Sequence, residues 1–574
     1  MPGAALLLAL AAPAASPAVE IVLAPRAERG AVTSLAVTLR FDGVAAAAGA
    51  PVLRLPLVAS NVDTVAAAIT TLTARDETGS VTLRPRDVDL PVAAARDAEA
   101  GGASREWIAD RAISGPLTVR YAFPVASDLP VRGSGPPFAF RTDDGAVSGA
   151  GHVFLAMPPG EAAYRTTIAW DLSALPKGAR GVSSLGEGRH TAAEPLTAGQ
   201  IRMGFFMAGR VATWPATPPA TGFFSALHGT PPFDGPALMR WTGTLYGHYA
   251  RFFRQKTPPP YGVFLRFNPI NAGGGVGLYH SFVATYGRPG GPGSDPEELQ
   301  FTLAHEMFHT FQPFIEQPAG LDSSWFGEGL ATFYQRRLPL RYGLVSPAAF
   351  LADLNTHAGR YYTSAKATAP NRDIAPNFWR DTRLRTLPYD RGMLYFADLD
   401  DKVRKASGGK RSLDDLMFAM LALQDRGTPT GNADWEAVLR QELGEPAVTA
   451  FRAFLDGAMP LPASDAFGPC FRRVAKPLRR FEPGFDAAIL ATPARIVTGV
   501  VPGSAAARAG LRDGDAIVTW TPQDYLQGEQ AALMKLTIKR DGHTIPLEYL
   551  PRGETVDAWQ WERVAGVPDT ACAL

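Results

Sequence analysis

Two imidazoles four positions apart with a carboxylate beside the first, His305, Glu306 and His309 in the pattern HExxH, are the residue types that hold and use one metal ion. On an α-helix positions i and i+4 share a face, so both rings can reach one tetrahedral ion while Glu306 leans toward a water bound there. A third ligand has to come from another element. Glu328 stands eighteen residues beyond His309, in an apolar stretch containing Trp325, Phe326, Leu330, Phe333 and Tyr334 that suits a second helix packed behind the first. Two His and one Glu leave the fourth position of a zinc ion open. That is the mark of a hydrolytic rather than a structural site, because the metal lowers the pKa of a water held there to about 7. The expectation is one zinc per chain on His305, His309 and Glu328, with Glu306 as general base.

This chemistry needs a helix, and the neighbouring residues supply its ends. Asp295 suits the N-cap, Pro296 the first turn, Glu297 and Glu298 complement the helix dipole, and Pro313 opposes continuation past Gln312. Upstream, the spacing of residues 236–255 predicts a buried helix, and residues 261–267 predict a strand. The glycine-rich residues 271–281 lack GxGxxG spacing, which excludes a phosphate cradle. They read as a loop and edge strand just ahead of the metal helix, where a substrate backbone pairs as an added strand, with Gly277, Tyr279 and His280 as substrate-binding residues. A plain surface turn is the alternative.

A chain of 574 residues exceeds one core, and its net charge of +1 gives no reason to expect nucleic acid as a partner. Residues 1–18 form a short apolar run ending in small residues, which predicts a secretory signal and a periplasmic or secreted protein. No later stretch is long and apolar enough for an integral membrane segment in the mature chain. Period-two runs at 34–41, 80–84 and 116–123 predict an N-terminal antiparallel β domain over 19–195. A catalytic domain is expected over 196–345 and a helical domain over 346–470, with one helix opening near Leu387 and another capped by Ser412. Cys470 and Cys572 are the only cysteines and are far from the HExxH helix, so neither is a zinc ligand. In an oxidising compartment they are expected to pair, closing a loop around the last domain; two buried thiols that never meet are the alternative.

That last domain, 480–555, carries Pro502, Gly503, Ser504, Ala505 and Ala506, then Ala509-Gly510-Leu511 and Gly514-Asp515, a pattern that resembles a PDZ domain. The resemblance implies a peptide ligand, taken by strand addition. Gly484-Phe485 is the nearest match to the carboxylate-binding loop of such domains.

The order of β domain, HExxH, glutamate, helical region and PDZ-like domain resembles the glycyl aminopeptidase-like zinc metallopeptidases, relatives of aminopeptidase N. Trp325 with Glu328-Gly329, Tyr389-Asp390-Arg391-Gly392 and Ser412-Leu413-Asp414-Asp415 carry the resemblance. It implies a thermolysin-like catalytic fold and makes Tyr389 the phenol that stabilises the oxyanion. The family reads Gly-Gly-Leu-Glu-His ahead of the metal helix, with the glutamate holding the substrate amine. Here Gly277-Leu278-Tyr279-His280 puts a tyrosine in that place, which leaves exopeptidase and endopeptidase action both open. The expected molecule is a multidomain α+β zinc peptidase acting on peptides or proteins. The rival reading is a catalytically inactive scaffold that binds peptides through its PDZ-like domain.

Overall fold

The computed structural model describes residues 16–60, 62–90, 102–125, 136–137, 139–143, 145–219, 221–268, 272–318, 320–427 and 429–572. Most of the expected signal, residues 1–15, lies outside them, as does Asn271 of the glycine-rich stretch. The first alternating run forms the strand Ala31–Phe41, which pairs antiparallel with Ala18–Glu28 and with Leu117–Pro124 in an eight-stranded sheet. Its inward residues Val32, Leu35, Val37, Leu39 and Phe41 enter the first core. A second sheet, of five strands, is centred on Phe205–Gly209 and shares that core, so the β region continues past the expected limit at residue 195.

Behind it lies the sheet that positions the site, in the order Val211–Trp214, Phe223–His228, Tyr261–Phe267, Ser281–Tyr286, Gly275–Leu278. The three middle strands are parallel and almost wholly buried. Strand alternation divides their side chains between two cores. Phe224, Ala226, Phe264 and Val283 pack on the N-terminal β core, whereas Phe223, Tyr261, Val263, Leu265, Phe282 and Ala284 pack on the helices. The helix between the first two parallel strands, Gly235–Phe252, is capped by Asp234 and has proline in its first turn, close to the expected 236–255. Gly275–Leu278 is antiparallel to its neighbour and forms the outer edge, as the glycine-rich stretch predicted.

The helices Ser324–Arg341 and Leu387–Ala406 touch backbone to backbone. A Cβ on Gly329 would lie 2.8 Å from the Cα of Gly392, and one on Gly392 would lie 2.7 Å from the Cα of Gly329, so only glycine fits on either side. Pro347–Tyr362, the short helices Ile374–Asn377 and Thr382–Arg385, then Leu413–Gln424, Asn432–Leu443 and Glu445–Leu455 complete the helical region, with Ser412 capping Leu413–Gln424 as expected. All of them share one continuous core with the helical face of the sheet. The division expected between residues 345 and 346 is therefore not a break in packing.

The chain then forms a two-stranded arm, Phe471–Phe481 with Arg552–Arg563. The arm lies on Pro347–Tyr362, where the Asn355 amide donates to the Trp561 carbonyl at 2.8 Å and the Trp561 N–H donates back to Asn355 Oδ1 at 2.7 Å. At its base Cys470 and Cys572 are joined, with Cα atoms 5.2 Å apart across 102 residues of sequence. At its tip sits a small unit with its own core, built on Phe485, Leu511, Ile517, Leu526, Leu536 and Ile538. It comprises the three-stranded sheet Ala516–Thr519, Met534–Arg540, His543–Tyr549 and the short helices Ala505–Arg508 and Gln523–Gly528. Among the described residues no helix is long and apolar enough to cross a membrane.

Candidate metal centre

The HExxH helix spans Pro296–Phe308, with Asp295 accepting the Glu297 N–H and proline in the first turn. It ends four residues before Gln312, the last position the proline argument allowed. Thr310 and Phe311 bond three residues back, to Met307 and Phe308, tightening the last turn ahead of Pro313. His309 is consequently the C-cap rather than an interior residue. Its backbone stays right-handed helical, at φ −56° and ψ −25°, so its side chain still lies on the face of His305.

Three donor atoms converge there. His305 Nε2 and Glu328 Oε2 are 3.1 Å apart, His309 Nε2 and Glu328 Oε2 are 3.2 Å apart, and the two imidazole nitrogens are 3.2 Å apart. A tetrahedral zinc with ligands at about 2.0–2.1 Å separates them by roughly 3.3 Å, the bond length times the tetrahedral edge factor. The triangle thus has the size of three corners of a zinc site, and His305, His309 and Glu328 form a group able to hold a metal. Burial disfavours charge on Glu328, yet the adjoining imidazoles hold its carboxyl far below the ordinary carboxylate range.

The rings are oriented from behind by side chains that the sequence reading did not single out. His305 donates its Nδ1–H to Gln335 Oε1 at 2.9 Å, which leaves Nε2 for the metal. The Gln335 amide in turn donates to Asp353 at 3.1 Å, and Asp353 accepts from Arg336 Nε at 2.6 Å. The Gln312 amide lies 2.8 Å from His309 Nδ1. The same Gln312 amide donates to the Gly327 carbonyl at 3.2 Å, which fixes it beside the ring. The available signal was positional: Gln312 is three residues after His309, and Gln335 is seven after Glu328 on the same helix face.

Glu306 and Tyr389 flank the triangle. Burial pushes the Glu306 carboxyl up, and Glu328 adds to this against the pull of the two histidines. Burial, then Glu328 and Glu306, push the Tyr389 phenol well above its ordinary value, so it stays a neutral hydrogen-bond donor. Its ring stacks on His305 with centroids 5.7 Å apart. Of the expected substrate-binding residues, Gly277 is at the centre: a Cβ there would come within 3.2 Å of Glu306 Oε2, so the edge strand runs directly over the carboxylate. Tyr279 and His280 are not brought to the site. They form the two-residue turn after the edge strand, where the Tyr279 N–H donates to the Met203 carbonyl at 3.0 Å and its ring packs against the N-terminal core. His280 takes a left-handed backbone, φ 45°, to make that turn.

A cavity of about 740 Å³ is lined by His305 of the triangle together with Glu306 and Tyr389. One side is the start of the edge strand, Gly273 to Gly275; the far side is residues 520–529 of the C-terminal unit.

No family model and no curated protein matches the sequence. Solved structures do match. The aminopeptidase N family protein of Idiomarina loihiensis aligns over 96% of this chain and 99% of its own, with a TM-score of 0.64 at 15% identity. An M1 zinc metallopeptidase of Deinococcus radiodurans covers 78% of this chain and 94% of its own, with a TM-score of 0.43 at 15% identity. Native yeast LTA4 hydrolase covers 78% and 68%, with a TM-score of 0.43 at 13% identity. At these identities the likeness is one of fold, and the fold is the multidomain α+β arrangement of the first of them, with an N-terminal β domain and a helical domain.

Proposed function

We propose that the chain is a zinc-dependent peptidase that hydrolyses peptide bonds at His305, His309 and Glu328. The observation that carries this reading is the tetrahedral-sized triangle of donors with a carboxylate and a neutral phenol on its open side, at the end of a cavity large enough for a peptide. A zinc ion bound there would supply Lewis acidity, acidifying a water and polarising a carbonyl.

The protein's own part follows from the residues around it. The edge strand Gly275–Leu278 offers backbone groups to an extended peptide and lays it across Glu306, the absence of a side chain at Gly277 keeping that approach open. Glu306, its carboxyl raised toward the working range of a general base, takes the proton of the attacking water and passes it to the leaving amine. Tyr389 donates its O–H to the substrate oxygen as charge develops on it. Gln335 and Gln312 keep both imidazoles in the orientation that presents Nε2. The chain is further read as exported and its last unit as PDZ-like, in keeping with the leader-like residues 1–18 and the buried Cys470–Cys572 bond.

Two variants test the reading. Glu306→Gln should retain one zinc per chain and lose hydrolysis of a broad peptide library, cut sites being mapped by mass spectrometry. Glu328→Ala should lose stoichiometric zinc at nanomolar free metal. Full zinc and no hydrolysis by the wild-type protein would return the chain to the scaffold reading.

A further inference from the structure

Part of the cavity wall is aromatic. Trp379 and Tyr525 are 38% and 37% exposed, two of the few large hydrophobic residues so open among those described, and both line this one cavity. Trp520 and Leu490 join them from the C-terminal unit, and Phe301 from the HExxH helix. Exposed aromatic surface scattered singly needs no explanation, but gathered in a concave wall beside a reactive centre it does.

These rings are also held in place. The Arg385 guanidinium lies 5.8 Å from the Trp379 ring, and Arg495 lies 5.4 Å from the ring of Trp520. Arg385 is itself pinned by Asp524 at 2.7 Å, and Asp524 accepts the hydroxyl of Thr382. The Gln527 amide donates to the same hydroxyl oxygen at 3.0 Å. Asp524 and Gln527 belong to Gln523–Gly528, whereas Thr382 and Arg385 belong to the short helix just before the one that carries Tyr389. The C-terminal unit is therefore latched to the catalytic region at the point where its aromatic residues enter the cavity.

From this arrangement we propose that the C-terminal unit forms a substrate subsite, with Trp379, Trp520 and Tyr525 receiving a large aromatic or aliphatic side chain of the peptide being cut. The inference rests on the peptidase reading above and deepens it. The occupant is a side chain of the substrate, and not the end of a separate ligand, because the wall is continuous with the cavity that contains His305, Glu306 and Tyr389. Two of the three specificity residues, Trp520 and Tyr525, are then supplied by a unit whose sequence begins more than a hundred positions after the metal ligands.

The test uses the full zinc-loaded chain and a peptide set in which one phenylalanine is walked through an otherwise alanine-rich sequence. At one position phenylalanine should raise kcat/KM about tenfold or more over alanine, the discrimination a hydrophobic pocket supplies. Tyr525→Ala and, separately, Trp520→Ala should reduce that preference to about twofold while changing kcat/KM for the all-alanine peptide less than about threefold. A preference that survives both variants, or an equal loss on every peptide, overturns the subsite. Tyr525 is open to solvent, so its variant serves where removal of Trp520 loosens the unit. The same peptides titrated against zinc-loaded Glu306→Gln read the subsite without hydrolysis. Tighter binding of the phenylalanine peptide, weakened by Tyr525→Ala, supports it even if the wild-type protein cuts nothing; equal binding of both peptides overturns it.

Discussion

Tyr389 stacks on the ring face of His305 and Gln335 bonds its Nδ1 edge, and they should fail in different ways. Tyr389→Phe keeps the ring on His305 and removes only the O–H, so kcat should fall by roughly 10²–10³ with KM little changed, because an oxyanion donor acts mainly in the transition state. Steady-state kinetics on one good peptide decide this, and an unchanged kcat would make Tyr389 a packing residue. Gln335→Ala leaves every ligand in place but releases the Nδ1–H of His305, so zinc affinity should fall about 10–100-fold in a competition titration against a chelator. The two histidines of the donor group were legible in the sequence because HExxH is a local pattern with a geometric meaning. Gln335 was not, since a glutamine on an apolar helix has no mark of its own until the fold sets it behind a histidine. Tyr279 differs for a related reason: the motif suggests a place beside the substrate, but the hairpin turn takes its ring to the N-terminal core instead of the cavity.

Among the elements, the crossing of Ser324–Arg341 over Leu387–Ala406 decides where the third ligand and the phenol meet. Gly329 directly follows Glu328, and Gly392 lies one turn after Tyr389, so the two glycines that touch set the distance between the two functional side chains. Gly392→Ala forces a methyl onto the backbone of Gly329 and the Trp325 carbonyl, where no side chain can move aside. Overpacking of this kind costs about 1–3 kcal/mol. The variant should unfold at lower temperature, and its zinc-loaded form should lose kcat although no catalytic group has changed. Calorimetry and kinetics on the same sample check both, and wild-type values in each would mean that the helices part without consequence. Both glycines were visible in the sequence as parts of motifs. That they are there for each other is a tertiary fact, because neither helix alone gives a reason for them. Helix caps were more readable, as at Asp295 and Ser412, since a cap is settled by a few adjacent residues.

At the scale of the whole molecule the C-terminal part is bound back onto the helical region three times: by the arm on Pro347–Tyr362, by the Asp524 latch and by the Cys470–Cys572 bond. The two sulfurs are bonded to each other, so the protein denatured without reductant should take up no alkylating agent, and intact mass will report it. Reduction should lower the melting temperature, since closure of a loop of about 100 residues contributes roughly 4–5 kcal/mol in loop-entropy terms. A melting temperature indifferent to reduction would show that the arm and latch suffice. The sequence allows this pairing to be anticipated but is silent on where the last unit sits against the helices. Its part in the cavity depends on contacts between residues far apart in the chain, which no local pattern records. The same topology sets an order of events as the chain is made. Asn355 has to wait for Trp561, 206 residues downstream, and at ~5–20 residues per second that takes tens of seconds of translation. For most of that interval His305, His309 and Glu328 are already made while Trp520 and Tyr525 are still to come, so on the proposed reading a nascent chain has its metal-binding residues well before it has its subsite.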